Sequence, residues 1–220
     1  MVKNKEFFEN GEANNWFWRN KTSLEREFSN ESINLLIDWL KPFSTKILNI
    51  LEVGCGSGHR LNKISQTLLA KGFGVEPSSD AVKYINKTFP SLKVKVGFGD
   101  NIPFCQKFDL VHLGFFLYLV DRELYLRSVS EADKLLRFGG FLSIIDFETP
   151  IPYSNSYSHQ EGVFSHKKNN CDVFVASGLY SVVNKFHFSH NNFFFDTDIN
   201  ERVSITLLYK ETDIFKENNK

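Results

Sequence analysis

Two carboxylates and a run of glycines are the residues whose types and spacing point to chemistry. Glu52-Val53-Gly54-Cys55-Gly56-Ser57-Gly58 places G-x-G-x-G directly after a short apolar run. Without Cβ atoms such a stretch turns sharply and lets a nucleoside lie against its backbone. Glu76 closes a second apolar run about twenty residues further on, at the spacing where an acidic side chain accepts both hydroxyls of a ribose. Asp100, in Gly99-Asp100-Asn101-Ile102-Pro103-Phe104, ends a third run and is suited to accept a hydrogen bond from an adenine amine. A nicotinamide dinucleotide would call for G-x-G-x-x-G, with a helix N-terminus facing its pyrophosphate. Here the position of that third glycine is His59, and Asp100 has no role in hydride transfer.

Acid–base chemistry has several candidates. His112, His159 and His166 titrate near neutrality and suit a general base toward a hydroxyl, with Asp146 and Tyr118 as orienting groups. His112 lies within an apolar strand and also reads as a histidine satisfied by its neighbours. His159 and His166 fall in a polar stretch after Asp146-Phe147-Glu148-Thr149-Pro150, beside Tyr153 and Tyr157, and also read as exposed loop residues. No metal site is expected, because the histidines and Cys55, Cys105 and Cys171 lack ligand spacing. Three scattered cysteines read as free thiols of a reducing compartment. Cys55 sits where a helix begins, a position that lowers thiol pKa values, though a small residue is all the loop requires there.

These residues need a scaffold that brings distant strand ends together. Strands are expected at 47–53, 72–76, 93–98, 108–113 and 141–147. Helices are expected at 60–70, at 78–89 with Ser78 or Ser79 as cap, and at 121–136, the last ended by Gly139-Gly140. Strands alternating with helices give an α/β fold with a doubly wound, mostly parallel sheet, whose carboxyl strand ends meet in one crevice. Two late strands, 180–188 and 202–209, pair as an antiparallel C-terminal hairpin, and 150–170 reads as a long inserted loop. Residues 1–45 form a helical segment, with Ser29 to Ser32 offering caps and Pro42 a stop. Within it Trp16-Phe17-Trp18 either anchors the segment or walls a pocket as a lid. The domain proper is 46–210, followed by a charged, frayed tail at 211–220. Phe193-Phe194-Phe195 reads as a dimer contact or a packed strand edge.

Taken in order, LEVGCGSG, GVEPS, GDNIPF, FDLVHLGFFLYLVD and LLRFGGFLSIIDF resemble the motifs of class I S-adenosylmethionine-dependent methyltransferases, over residues 47–147. The resemblance implies a Rossmann-like fold and S-adenosyl-L-methionine as cofactor. It implies that Gly54, Cys55, Gly56 and Gly58 line the methionine and ribose portion, with Glu52 ordering the loop. Glu76 with Pro77 would hold the ribose and Asp100 the adenine amine, with Asn101 or Ile102 beside the ring. Phe115 would lie near the methionine end.

Methyl transfer is an in-line displacement governed by positioning, so the family carries no fixed catalytic signature and acceptor identity is hard to read. The Asn/Asp-Pro-Pro-Tyr/Phe of nucleobase amine methylation is replaced here by Leu113-Gly114-Phe115-Phe116. Lys and Arg total 26 and Asp and Glu total 26, so no net charge favours nucleic acid. A small-molecule acceptor is expected, and the stretch after the fifth strand resembles a bacterial subset associated with sugar or surface-polysaccharide precursors. A non-catalytic S-adenosylmethionine-binding module is the alternative, since no acceptor-activating residue stands out. Neither a signal-peptide core nor an apolar run of about 18–20 residues is present, which points to a cytoplasmic protein without a membrane partner. Oxygen or nitrogen as nucleophile, and the oligomeric state, stay open.

Overall fold

The structure, a computed structural model, describes residues 3–26 and 31–212. Its centre is a sheet of seven strands, β1 (Asn49–Val53), β2 (Lys71–Glu76), β3 (Lys93–Val96), β4 (Phe108–Gly114), β5 (Leu136–Phe147), β8 (Tyr180–Ser189) and β9 (Arg202–Lys210). Their order is β3-β2-β1-β4-β5-β9-β8. The first five run parallel and the last two antiparallel. Strands β1 and β4 are buried almost throughout because helices cover both faces. One buried cluster packs α3 (Glu31–Leu40) and α4 (His59–Thr67) around Leu36, Ile50 and Leu61. The other packs α6 (Arg122–Leu135) around Leu51, Phe108 and Val111.

The C-terminal hairpin and the alternating strands follow the sequence pattern, and α5 (Ser79–Thr88) is capped by Ser78, whose Oγ accepts the Ala81 N–H at 3.0 Å. Two expectations are corrected. Gly139-Gly140 does not end α6: the helix stops at Leu135 and β5 begins at once. The pair instead forms a bulge, where the β4–β5 register shifts and Gly139 takes φ +71°. A Cβ on Gly140 would meet Leu136 Cδ1 at 2.7 Å and the carbonyls of Arg137 and Asp109 at 3.0 Å. The stretch 150–170, expected as a long loop, contains β6 (Tyr153–Ser156) and β7 (Phe164–Lys167), paired antiparallel, and α7 (Asp172–Ala176) follows it.

The N-terminal segment is helical as expected, with α1 (Lys3–Phe7), a π-helical turn (Phe8–Glu12) bent at Gly11, and α2 (Ala13–Arg26). The capping expectation at Ser29 and Asn30 and that for the far tail lie outside the described residues. The aromatic cluster divides its work. Phe17 is fully buried against Tyr84 at 5.8 Å, while Trp18 is exposed and donates its indole N–H to Asp80. Phe193 packs against Phe186 and Phe188 at the sheet edge, whereas Phe194 is exposed. Among the described residues no helix is long and apolar enough to cross a membrane.

Gly140→Ala should lower stability by about 1–3 kcal/mol, the range for forcing extra volume into a packed site. Gly178→Ala, with open space around its Cβ, should cost only the left-handed backbone penalty of about 1 kcal/mol. Denaturant midpoints of the two variants decide this, and equal losses would contradict the bulge as described.

Candidate active site

The carboxyl ends of β1, β2, β3 and β4 open on one cleft of about 790 Å³, measured out to its solvent mouth. Gly54 turns the chain out of β1 with φ +75°, and a Cβ there would press on Phe116 at 3.1 Å. The amides of the loop find their acceptors on β2. Gly54 N–H donates to Val75 O at 2.8 Å, and Gly56 N–H to Glu76 Oε2 at 2.9 Å. The other Glu76 oxygen accepts Ser78 N–H at 3.1 Å. Glu76 is buried yet lines the cleft, and burial pushes its carboxyl up from 4.5 to about 7 despite these two bonds.

Asp100 faces the same cleft from beyond β3. Its carboxylate is held by Lys5 Nζ at 2.9 and 3.1 Å, a contact from the far end of the chain. Asn4 anchors α1 there. Its backbone N–H donates to Asp121 at 3.0 Å, and its side-chain amide donates to Leu119 O at 2.8 Å and Phe164 O at 2.7 Å. Trp16 and Phe8 add aromatic wall, and Phe98 and Phe115 face them from the strand ends. Phe115 adopts φ +51°, a left-handed conformation costing a non-glycine residue roughly 1–2 kcal/mol.

Of the residues expected at the cofactor, Gly54, Glu76, Pro77, Asp100 and Phe115 line the cleft. The rest of that set stand behind it or beside it. Glu52 is fully buried and takes the Arg60 Nε–H at 2.9 Å, while Arg60 also reaches Gly54 O at 3.4 Å and Gly114 O at 3.3 Å. Gly56 offers its N–H to Glu76, and Gly58 (φ +78°) caps α4 against Ile85. Cys55 packs under the loop, where burial and then the charges of Glu76 and Glu52 raise its thiol well above 9.0. A helix-start position does not lower it here. Asn101 is exposed, and Ile102 is buried in the core beneath β4.

The expected acid–base group does not gather in this cleft. Asp146 is buried at the end of β5 and accepts backbone N–H groups from Tyr118 at 3.2 Å and Phe147 at 2.8 Å. The Tyr118 ring packs on Phe147. His166 bonds Ser154 on the β6–β7 hairpin, and His159 is exposed beside Tyr157. His112 is fully buried against Ser143, and desolvation holds it at about 3, too weak a base for neutral pH. Lys5, Asn4 and Arg60 were not foreseen. A basic residue just past the glycines is the one clue to Arg60, and no local pattern marks Lys5 or Asn4. Among the described residues no three His, Cys, Asp or Glu side chains gather to hold a metal.

The cleft's donor set suits S-adenosylmethionine. Three buried carboxylates stand on its apolar and aromatic wall: Asp121, taken up by the amides of Asn4 and Lys5, and Glu76 and Asp100; among the described residues the one cation there, Lys5, already neutralises Asp100. A pyrophosphate would find little there to bind it.

Burial fixes a pH signature. Asp146 is raised from 3.8 to about 7 by desolvation, as Glu76 is from 4.5. A folded-state pKa above the unfolded one contributes stability that is complete below the unfolded value and lost as pH rises through the folded one. The melting temperature should therefore fall between about pH 4 and pH 7 and level off above that, and Asp146→Asn should flatten that fall. An unchanged slope in the variant would refute the buried, protonated Asp146.

A family model described as a methyltransferase domain matches residues 50–140. No curated protein sequence matches the chain significantly. Solved structures resemble it closely in architecture. The Burkholderia thailandensis 1,6-didemethyltoxoflavin-N1-methyltransferase, with 1,6-didemethyltoxoflavin and S-adenosylhomocysteine bound, superposes with a TM-score of 0.68 at 10% identity, covering 91% of this chain and 87% of that one. Streptomyces venezuelae DesVI gives 0.61 at 13% identity over 92% and 98%. The N-methyltransferase NodS of Bradyrhizobium japonicum, in complex with S-adenosyl-L-homocysteine, gives 0.57 at 16% over 87% and 98%. At such identities the superpositions speak for the fold, and the family model speaks for the segment it matches. Residues 50–140 thus resemble a methyltransferase domain, and the chain as a whole has the fold of class I S-adenosylmethionine-dependent methyltransferases.

Proposed function

We propose that this enzyme moves a methyl group from S-adenosylmethionine to an oxygen or nitrogen of a small-molecule acceptor. The observation carrying this reading is the pair of buried carboxylates, Glu76 and Asp100, facing one aromatic-walled cleft. Glu76 accepts the ribose hydroxyls through lone pairs left free by Gly56 and Ser78, and Asp100 accepts the adenine amine beside Lys5. The ring contact expected of Asn101 or Ile102 falls to Phe98, which does line the cleft. Gly54 gives the nucleoside close approach to backbone, and Glu52 with Arg60 stiffens the loop behind it.

When bound, the cofactor supplies an electrophilic sulfonium methyl, so the chain's own task is alignment and exclusion of water. Phe115, Phe116 and Leu119 keep that end of the cleft apolar. No general base is assigned: Asp146 and Tyr118 support the turn after β4, and His159 and His166 belong to the hairpin. The named structural neighbours include methyltransferases of small molecules, which supports the same acceptor class here. Within that class, a sugar or surface-polysaccharide precursor is supported by the resemblance of the segment after the fifth strand. Three free cysteines suit a cytoplasmic setting.

Calorimetry should give binding of S-adenosylmethionine and S-adenosylhomocysteine and none of NAD. Glu76→Ala should weaken both by about 1.5–3 kcal/mol, roughly ten- to a hundredfold, the worth of hydrogen bonds to a charged group. Wild-type affinity should rise with pH through about 7, because the ionised Glu76 is the form that accepts the hydroxyls, and Glu76→Gln should lose that rise. Unchanged affinity in Glu76→Ala sinks the ribose assignment. Label passing from the methyl donor to a metabolite separates catalysis from binding alone.

A further inference from the structure

A second cavity lies on the other side of the segment that walls the main cleft. It is lined by Arg122, Tyr153, Ser154, His166, Lys167 and Lys168, together with apolar residues, and Val120 belongs to the walls of both cavities. Among the described residues, no carboxylate stands on its wall. Lys167 is only 8% exposed, with its Nζ donating to Asn200 O at 2.6 Å and lying 3.8 Å from the Phe147 ring centroid. Lys168 Nζ lies 3.2 Å from the Tyr125 ring centroid.

Among the described residues, neither lysine nor Arg122 has a carboxylate within ion-pairing distance. Acidic groups act from outside the wall: Glu201, Asp198 and Asp146 on Lys167, Asp146 on Lys168, Asp121 and Glu123 on His166, and Glu123 on Arg122 by charge alone. Asp146 is buried and engaged by backbone N–H groups, and Asp121 by those of Asn4 and Lys5. Burial lowers both lysines, and Arg122 lowers Lys168 further, as expected of like charges brought together without a counter-ion. The hydroxyls of Tyr153 and Ser154 add neutral hydrogen-bonding groups.

We propose that this cavity binds an oxyanionic group, phosphoryl or carboxylate, of the methyl acceptor, anchoring it beside the cleft in which transfer occurs. Arg122 offers a planar fork of donors, Lys168 a point charge steadied by an aromatic ring, and Ser154 a hydroxyl. The shared wall at Val120 puts the anchored group next to the cofactor cleft. The acceptor is thus a charged metabolite. This assignment rests on the methyltransferase reading.

The test uses the full chain saturated with S-adenosylhomocysteine, titrated at constant ionic strength with inorganic phosphate and, separately, with acetate. The comparison protein carries Arg122→Gln and Lys168→Gln, with Lys134→Gln, on an exposed face of α6, as charge control. Wild type and K134Q should bind one anion saturably, and the double variant at least tenfold more weakly. Preference for phosphate identifies a phosphoryl anchor, and preference for acetate a carboxylate one. Absence of saturable binding of either anion to wild type, or equal binding in the double variant, overturns the proposal. Retained S-adenosylhomocysteine binding shows that the double variant is folded, and Arg122→Gln alone, at an exposed position, replaces it otherwise. Failure of wild type to bind S-adenosylhomocysteine counts against the cofactor reading instead, whatever the anions do.

Discussion

Every backbone N–H turned inward at the glycine loop needs an acceptor, and the end of β2 supplies them. Val75 O takes Gly54 and Cys55, and the Glu76 carboxylate takes Gly56 on one oxygen and Ser78 on the other. One side chain thereby joins the exit of β1, the end of β2 and the start of α5. Leaving such amides unpaired would cost about 1–3 kcal/mol each, so the buried carboxylate is tolerated even though desolvation drives its pKa to about 7. Its remaining lone pairs face the cleft, where hydroxyl donors would relieve part of that penalty. The scaffold requirement and the binding requirement fall on the same two oxygens.

The end of β5 repeats the device without opening it to a ligand. Asp146 gathers amides from the turn after β4 and from Phe147, and it too is pushed to about 7 by burial. Behind it sit Lys167 and Lys168, whose charges it offsets only in part. The difference between the two carboxylates is exposure to a cleft, and that difference separates a binding group from a group that fixes the shape of one.

The parallel sheet was legible because strands buried on both faces read as continuous apolar runs, with Glu52 and Glu76 at the ends of β1 and β2 and Asp100 a few residues past β3. The glycine loop was legible because few other arrangements need G-x-G-x-G between strand and helix. Gly139-Gly140 misled because a helix stop and a strand bulge both favour glycine. The pair β6–β7 was hidden by its composition, Tyr-Ser-Asn-Ser against Phe-Ser-His-Lys, which buries too little to show alternation. Asn101 and Ile102 stand next to Asp100, yet the chain turns at that point and sends them away from the cleft. The titration range of a histidine, and the place of His159 and His166 after the fifth strand, say nothing of how far apart the fold holds them and His112.

Least legible was the hold of the N-terminus on the site, since contacts spanning more than ninety residues leave no local periodicity. Asn4 grips Leu119 and the backbone of Phe164 at once, and Asp121 receives the amides of both Asn4 and Lys5. Residues 117–125 form the partition between the cofactor cleft and the cationic cavity, so α1 is fastened to that partition and to the hairpin bearing His166 and Lys167. Lys5 meanwhile reaches Asp100, the group suited to an adenine amine. A carboxylate has lone pairs enough for both donors, so seating an adenine does not require the lysine to leave. The hold of α1 on the cleft and the shape of the neighbouring cavity are thus tied together, because the same short segment is the wall of each.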